Sequence, residues 1–71
     1  MKVIRIDTPY IKLGQLLKLV KVIETGGQAK WFLAEKKVEV NGERETRRGR
    51  KIYPQDIVTI EGFGQIKVEE E

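Results

Sequence analysis

The spacing of apolar residues changes along this chain, and each change marks an element. Ile4 and Ile6 share one face of Lys2–Ile6, which reads as a short strand that Asp7-Thr8-Pro9 then breaks. From Lys12 to about Val22, Leu13, Leu16, Leu17 and Val20 recur at helical spacing, with Gly14, Lys18 and Lys21 on the opposite side. The pattern predicts an amphipathic helix with a basic outer face. Glu24-Thr25-Gly26-Gly27 ends it and opens another, since glycine suits a helix terminus and Thr25 can cap free N–H groups. The second helix is expected over Gly27–Lys36. Ala29, Phe32 and Leu33 form its apolar stripe, Lys30 and Lys37 border the stripe, and Trp31 points away from it.

Beyond Lys36 the period falls to two. Val38 and Val40 alternate with Lys37 and Glu39, Asn41-Gly42 is a strong two-residue hairpin signal, and Ile57–Ile60 and Gln65–Val68 supply further strands. Tyr53-Pro54-Gln55-Asp56 and Gly62-Phe63-Gly64 read as turns, and Glu69-Glu70-Glu71 as a frayed acidic tail. Two helices followed by several strands predict an α+β domain with a small antiparallel sheet carrying a basic hairpin.

Composition narrows the function. Seventy-one residues suffice for one domain, with no long apolar run and no apolar segment behind the N-terminus, so a soluble, unexported, cytoplasmic protein without membrane contact is expected. The absence of cysteine and histidine removes thiolate and imidazole metal sites and the commonest general base. Asp7, Asp56 and the terminal glutamates lack a nearby nucleophile or base, so neither an enzyme, a cofactor, a metal nor a small-molecule substrate is expected. The net charge of +3 is unevenly placed: Arg44–Lys51 carries +4 and the remainder −1. Such clustering favours an anionic partner over a merely solvated loop.

Leu13, Leu17, Thr25-Gly26-Gly27-Gln28-Ala29-Lys30, Val38-x-Val40-Asn41-Gly42 and Pro54-Gln55-Asp56-Ile57-Val58 together resemble the S4 RNA-binding domain family, closest to its small stand-alone members of YaaA type. The resemblance spans roughly residues 12–60 of a single domain covering 1–71, and Val-x-Val-Asn-Gly is its most specific part. It implies an αL motif, two packed helices and a β-hairpin presenting a basic surface to structured RNA such as ribosomal or transfer RNA. Three positions depart from the family pattern. Gly26 stands where an arginine commonly follows the capping residue, Lys36 replaces a glycine before the first hairpin strand, and Gln55 replaces the glycine of a Pro-Gly-Asp turn.

Arg47, Arg48 and Arg50 offer planar bidentate donors to phosphate, Gly49 lets the backbone bend between them, and Arg44 and Lys51 flank them. These arginines are expected to serve binding and not folding. Lys12 matches the basic residue opening the family's first helix, and Lys18 shares that helix's outer face. Lys30 and Lys37 can reach across the helix–hairpin junction, and Gly26 and Gly27, behind the Thr25 cap, can aim free N–H groups at phosphate in place of the missing arginine. Trp31 and Gln28 are the residues placed to meet a base, although packing under the first strand is the favoured reading of Trp31. Tyr10, Tyr53 and Phe63 are assigned to core or turn packing. The leading function is therefore non-catalytic recognition of folded RNA by a monomer. A winged-helix-like DNA binder is the alternative, weakened by the lack of a third helix and by a poor base-reading set in Gln28, Trp31 and Glu35. A ubiquitin-like carrier requires a Gly-Gly terminus, where this chain has Glu69-Glu70-Glu71.

Overall fold

A computed structural model describes residues 1–71. In chain order the elements are β1 (Lys2–Ile6), β2 (Ile11–Lys12), α1 (Leu13–Leu19), α2 (Gly26–Glu35), β3 (Val38–Val40), β4 (Glu43–Arg44), β5 (Lys51–Ile52), β6 (Ile57–Ile60) and β7 (Gly64–Glu70). The fold is α+β, with a five-stranded sheet ordered β1-β7-β6-β3-β4 and a separate two-stranded β2-β5 ladder. Val38, Val40, Val58, Ile60, Ile66 and Val68 point to one face of the large sheet. There they pack with Leu13, Leu16, Leu17, Ala29 and Leu33 of the helices in a single core. No helix is long and apolar enough to cross a membrane.

The sheet is mixed, which corrects the antiparallel expectation. β3, β6 and β7 run antiparallel in sequence, but β1 pairs in parallel with β7, Ile4 opposite Val68 and Ile6 opposite Glu70. Alternation of period two tells which face a strand buries and carries no information about the direction of its partner. The same pairing corrects the frayed tail. β7 lies between β1 and β6, Arg5 Nε sits 3.8 Å from Glu69 Oε1, and the Glu71 N–H donates to the Ile6 carbonyl at 2.8 Å.

The first helix stops at Leu19, short of the expected Val22. Lys21 takes a left-handed φ of +63°, the Val22 N–H donates to the Leu17 carbonyl and the Lys21 N–H to the Lys18 carbonyl. This is the bond pattern of a Schellman cap, with lysine in the position that glycine usually fills. Lys36, by contrast, is extended at φ −104°, so its replacement of a glycine carries no backbone strain. Gln55 does hold a left-handed φ of +82° in the Tyr53–Asp56 turn, which the Asp56 N–H closes on the Tyr53 carbonyl at 3.0 Å.

The Asn41-Gly42 turn joins β3 to β4 with both residues at positive φ, as a type I′ hairpin requires. Asn41 also ties the hairpin to the next strand. Its Nδ2 donates to Asp56 Oδ1 at 2.9 Å and its Oδ1 accepts the Ile57 N–H at 2.9 Å, while Asp56 Oδ2 accepts the Tyr53 N–H. The most specific part of the resemblance therefore has an architectural role here.

Candidate nucleic-acid interface

The arginines leave the hairpin before they are deployed. β4 ends at Arg44, and Arg47, Arg48 and Arg50 lie in the connection from β4 to β5. That connection is ordered by three sets of backbone contacts and by one buried side chain, Glu45. Arg50 N–H donates to the Arg47 carbonyl, closing a tight turn around Arg48-Gly49. The loop carbonyls then face the start of α1, where Leu13 N–H donates to Arg50 O at 2.8 Å and Gly14 N–H to Arg48 O at 2.9 Å. These bonds satisfy first-turn donors that a helix cannot satisfy internally. Finally β2 and β5 pair Ile11 with Ile52 and Lys12 with Lys51, and buried Ile52 anchors the loop's exit.

Glu45, which in the sequence stands only as an interruption of the basic run, is the fastener of this connection. It is the one buried charged residue, at 5% exposure. Its Oε2 accepts the N–H groups of Thr46 and Arg47 and Arg47 Nε at 3.0 Å, while its Oε1 accepts Arg47 Nη2 and Arg50 Nη1 at 2.8 Å. The Arg47 side-chain hydrogen bond lowers the Glu45 carboxyl from its ordinary value to about 2, against the opposing effect of burial, with further lowering by the Arg47 backbone N–H and by Arg50. The same hydrogen bond raises Arg47. Arg47 and Arg50 thus hold the loop's shape, which corrects their assignment to binding alone. A lone acid followed by arginines two and five positions later was the available signal.

Close approach of loop and helices depends on Gly14. A Cβ there would lie 3.4 Å from both the Cβ and the carbonyl oxygen of Arg48 and 3.6 Å from the Ala29 Cβ. Gly14 is therefore inside the junction of α1, α2 and the arginine loop, not on an outer face. Thr25 precedes α2 with extended backbone, and the Gln28 Oε1 returns to accept the Thr25 N–H at 2.9 Å and the Glu24 N–H. Gln28 is consequently occupied with capping, which leaves only its amide nitrogen for a base.

Two adjoining clefts result. One, of about 260 Å³, is lined by Lys12, Gly14, Gln15, Lys18, Gly26, Arg48 and Gly49. The cations Lys12, Lys18 and Arg48 meet there with no carboxylate in the lining, and Arg48 Nη1 reaches the Gly26 carbonyl only at 3.5 Å. The other, of about 420 Å³, is lined by Arg47, Gly49, Arg50, Lys51 and Tyr53. Gly49 is common to both.

Other candidates fall elsewhere. Lys37 lies beyond the far end of α2, about 15 Å along the helix from Gly26; its N–H donates to Glu61 Oε1 and its Nζ is 3.7 Å from Glu39. Arg44 is on the edge strand opposite Glu39. Lys30 is exposed on α2, one turn beyond Gly26. Trp31 is 67% exposed, which corrects its expected packing under β1, and it lines neither cleft. Its position follows from the helix period: Ala29 and Leu33 take the buried face, leaving residue 31 outward.

Residues 4–69 match the S4 domain family. The chain belongs to that family. Among its relatives, it is 60% identical over 65 residues to RlbA of Bacillus subtilis (strain 168), named a probable ribosome maturation protein, with 92% of each chain covered. It is 43% identical over 54 residues to YbcJ of Escherichia coli (strain K12), provisionally named an RNA-binding protein, covering 76% of this chain and 77% of the relative. Membership places the Val-x-Val-Asn-Gly hairpin and the arginine connection in a known type of domain and displaces the winged-helix reading of the two helices and basic loop.

Proposed function

We propose that this S4 domain is a non-catalytic module that binds folded RNA through its phosphate backbone, acting as a cytoplasmic monomer, with the two helices and the arginine connection serving as an αL-type surface. The observation that carries the reading is the convergence of Lys12, Lys18 and Arg48 with the start of α2 on one cleft free of carboxylates. Thr25 and Gly26 open α2 beside these cations, so their backbone dipoles favour the same anion. The second cleft extends the positive surface through Arg47, Arg50 and Lys51, although Glu45 neutralises part of that charge. Phosphates on two strands of a folded RNA suit such a bent surface better than an extended single strand does.

Of ribosomal and transfer RNA, ribosomal RNA is the better supported, because the RlbA relative is named for ribosome maturation. Lys30 extends the surface along α2, while Lys37 and Arg44 serve as peripheral contacts to a larger RNA. Competition at fixed salt tests the proposal. A structured ribosomal RNA fragment is expected to displace a labelled probe at lower concentration than an unstructured RNA of equal length or a DNA duplex of matched charge. Equal competition by all three would reduce the surface to a nonspecific polycation, and preference for the DNA duplex would refute RNA recognition.

A further inference from the structure

The larger cleft contains an aromatic ring whose setting is unlike that of the other exposed aromatics. Tyr53 is 47% exposed and lines the cleft with Arg47, Gly49, Arg50 and Lys51. Its backbone is fixed by the bond from its N–H to Asp56 Oδ2 at 2.8 Å and by the turn closed on its carbonyl. Its ring is backed by Tyr10, with centroids 5.8 Å apart and planes at 53°, and Tyr10 in turn carries Lys51 Nζ 4.9 Å from its centroid. A ring held in this way loses little conformational freedom on meeting a ligand, and it shares its cleft with Arg47, Arg50 and Lys51. Trp31 is more exposed but lines neither cleft.

A planar aromatic beside several phosphate donors, in a space of about 420 Å³, matches one nucleotide better than a continuous duplex backbone. A paired base hides its faces in the stack, whereas an unpaired base in a bulge or junction can be splayed onto an aromatic side chain. Building on the RNA-binding reading above, we propose that the Tyr53 cleft receives a single unpaired nucleotide. Its base stacks on the Tyr53 ring and its phosphates meet Lys51 and Arg50, while the Lys12–Lys18–Arg48 cleft holds the flanking backbone. The domain then selects folded RNA that has an extruded base beside a helix.

The test uses three RNA hairpins of identical stem: one with a single bulged 2-aminopurine, one with an abasic residue at the bulge, and one fully paired. Affinity is measured at fixed salt. The bulged hairpin is expected to bind about tenfold or more tightly than either control, a ratio in line with the stacking of one base. Its 2-aminopurine fluorescence is expected to fall on binding. Tyr53→Leu is expected to abolish the quenching and to bring the affinity for the bulged hairpin down to that for the paired one, and Tyr53→Phe to retain both the preference and the quenching. Equal binding of all three hairpins by the unmodified protein would overturn the nucleotide cleft and leave RNA binding intact. Binding of none would overturn both readings.

Discussion

Replacing Glu45 with glutamine removes the charge that holds the arginine loop while keeping nearly the same volume. In the native protein this carboxylate accepts two backbone N–H groups and three guanidinium N–H groups. Glutamine presents one oxygen and one NH₂ to an all-donor environment, so part of that set is left unpaired. The depression of the carboxyl from 4.5 to about 2 corresponds to about 3 kcal/mol of preferential stabilisation of the ionised form. Because Arg47 is largely exposed, solvent screening brings the expected loss to about 2 kcal/mol. A 71-residue domain is stable by about 4–10 kcal/mol, so this is a readily measured fraction. The sign of the pH dependence is fixed: the folded-state value lies below the unfolded one, so the contribution is complete above pH 4.5 and is lost as pH falls from there through 2. Urea unfolding of the native protein and Glu45→Gln across pH 2 to 7 should therefore give a gap that is widest near neutrality and closes toward pH 2. A gap that is absent at pH 7, or that does not change with pH, would refute the fastening role.

Arg48→Glu should weaken RNA binding by at least tenfold and reduce the magnitude of the slope of log affinity against log salt by about 1, while stability stays within about 0.5 kcal/mol, because Arg48 anchors the loop through its carbonyl and its exposed side chain makes only the long 3.5 Å contact to the Gly26 carbonyl. Gly14→Ala should be tolerated, since the added methyl makes ordinary contacts, whereas Gly14→Leu should cost about 1–3 kcal/mol and reduce RNA affinity by lifting the loop from α1, as read by urea midpoints and binding titrations. Gln55→Gly should raise stability by up to about 1 kcal/mol by relieving the left-handed backbone at that turn, as read from the thermal midpoint.

Legibility from sequence differed with the range of the interaction involved. Thr25 opens α2 and Asn41-Gly42 forms its hairpin because the deciding bonds lie within a few residues. The stop at Lys21 was hidden because a lysine occupies the left-handed position usually advertised by glycine. The β1–β7 pairing joins residues more than sixty positions apart, and nothing in either strand encodes the other's direction. At the site, charge and position mark Lys12, Lys18, Gly26 and Arg48 separately in the sequence, but their meeting depends on loop carbonyls reaching Leu13 and Gly14, contacts made by the backbone and invisible in side-chain identity. In the sequence Glu45 is one unit of charge against a basic run, whereas its burial makes it the run's organiser. The sequence points Tyr53 to core or turn packing; its backbone is indeed fixed in the turn, while nearly half of its surface stays exposed in the cleft it shares with the cations.

Amide chemical-shift mapping of the isotopically labelled protein, titrated with a folded ribosomal RNA fragment, tests the central claim most directly because it reports every backbone position at once. The two-cleft surface predicts that the largest changes fall on Gly14, Gly26, Arg48, Gly49 and Lys51, with Tyr53 following when the fragment carries an unpaired base. Changes centred instead on Glu39, Thr59 and Lys67, on the sheet face turned away from the helices, would contradict it.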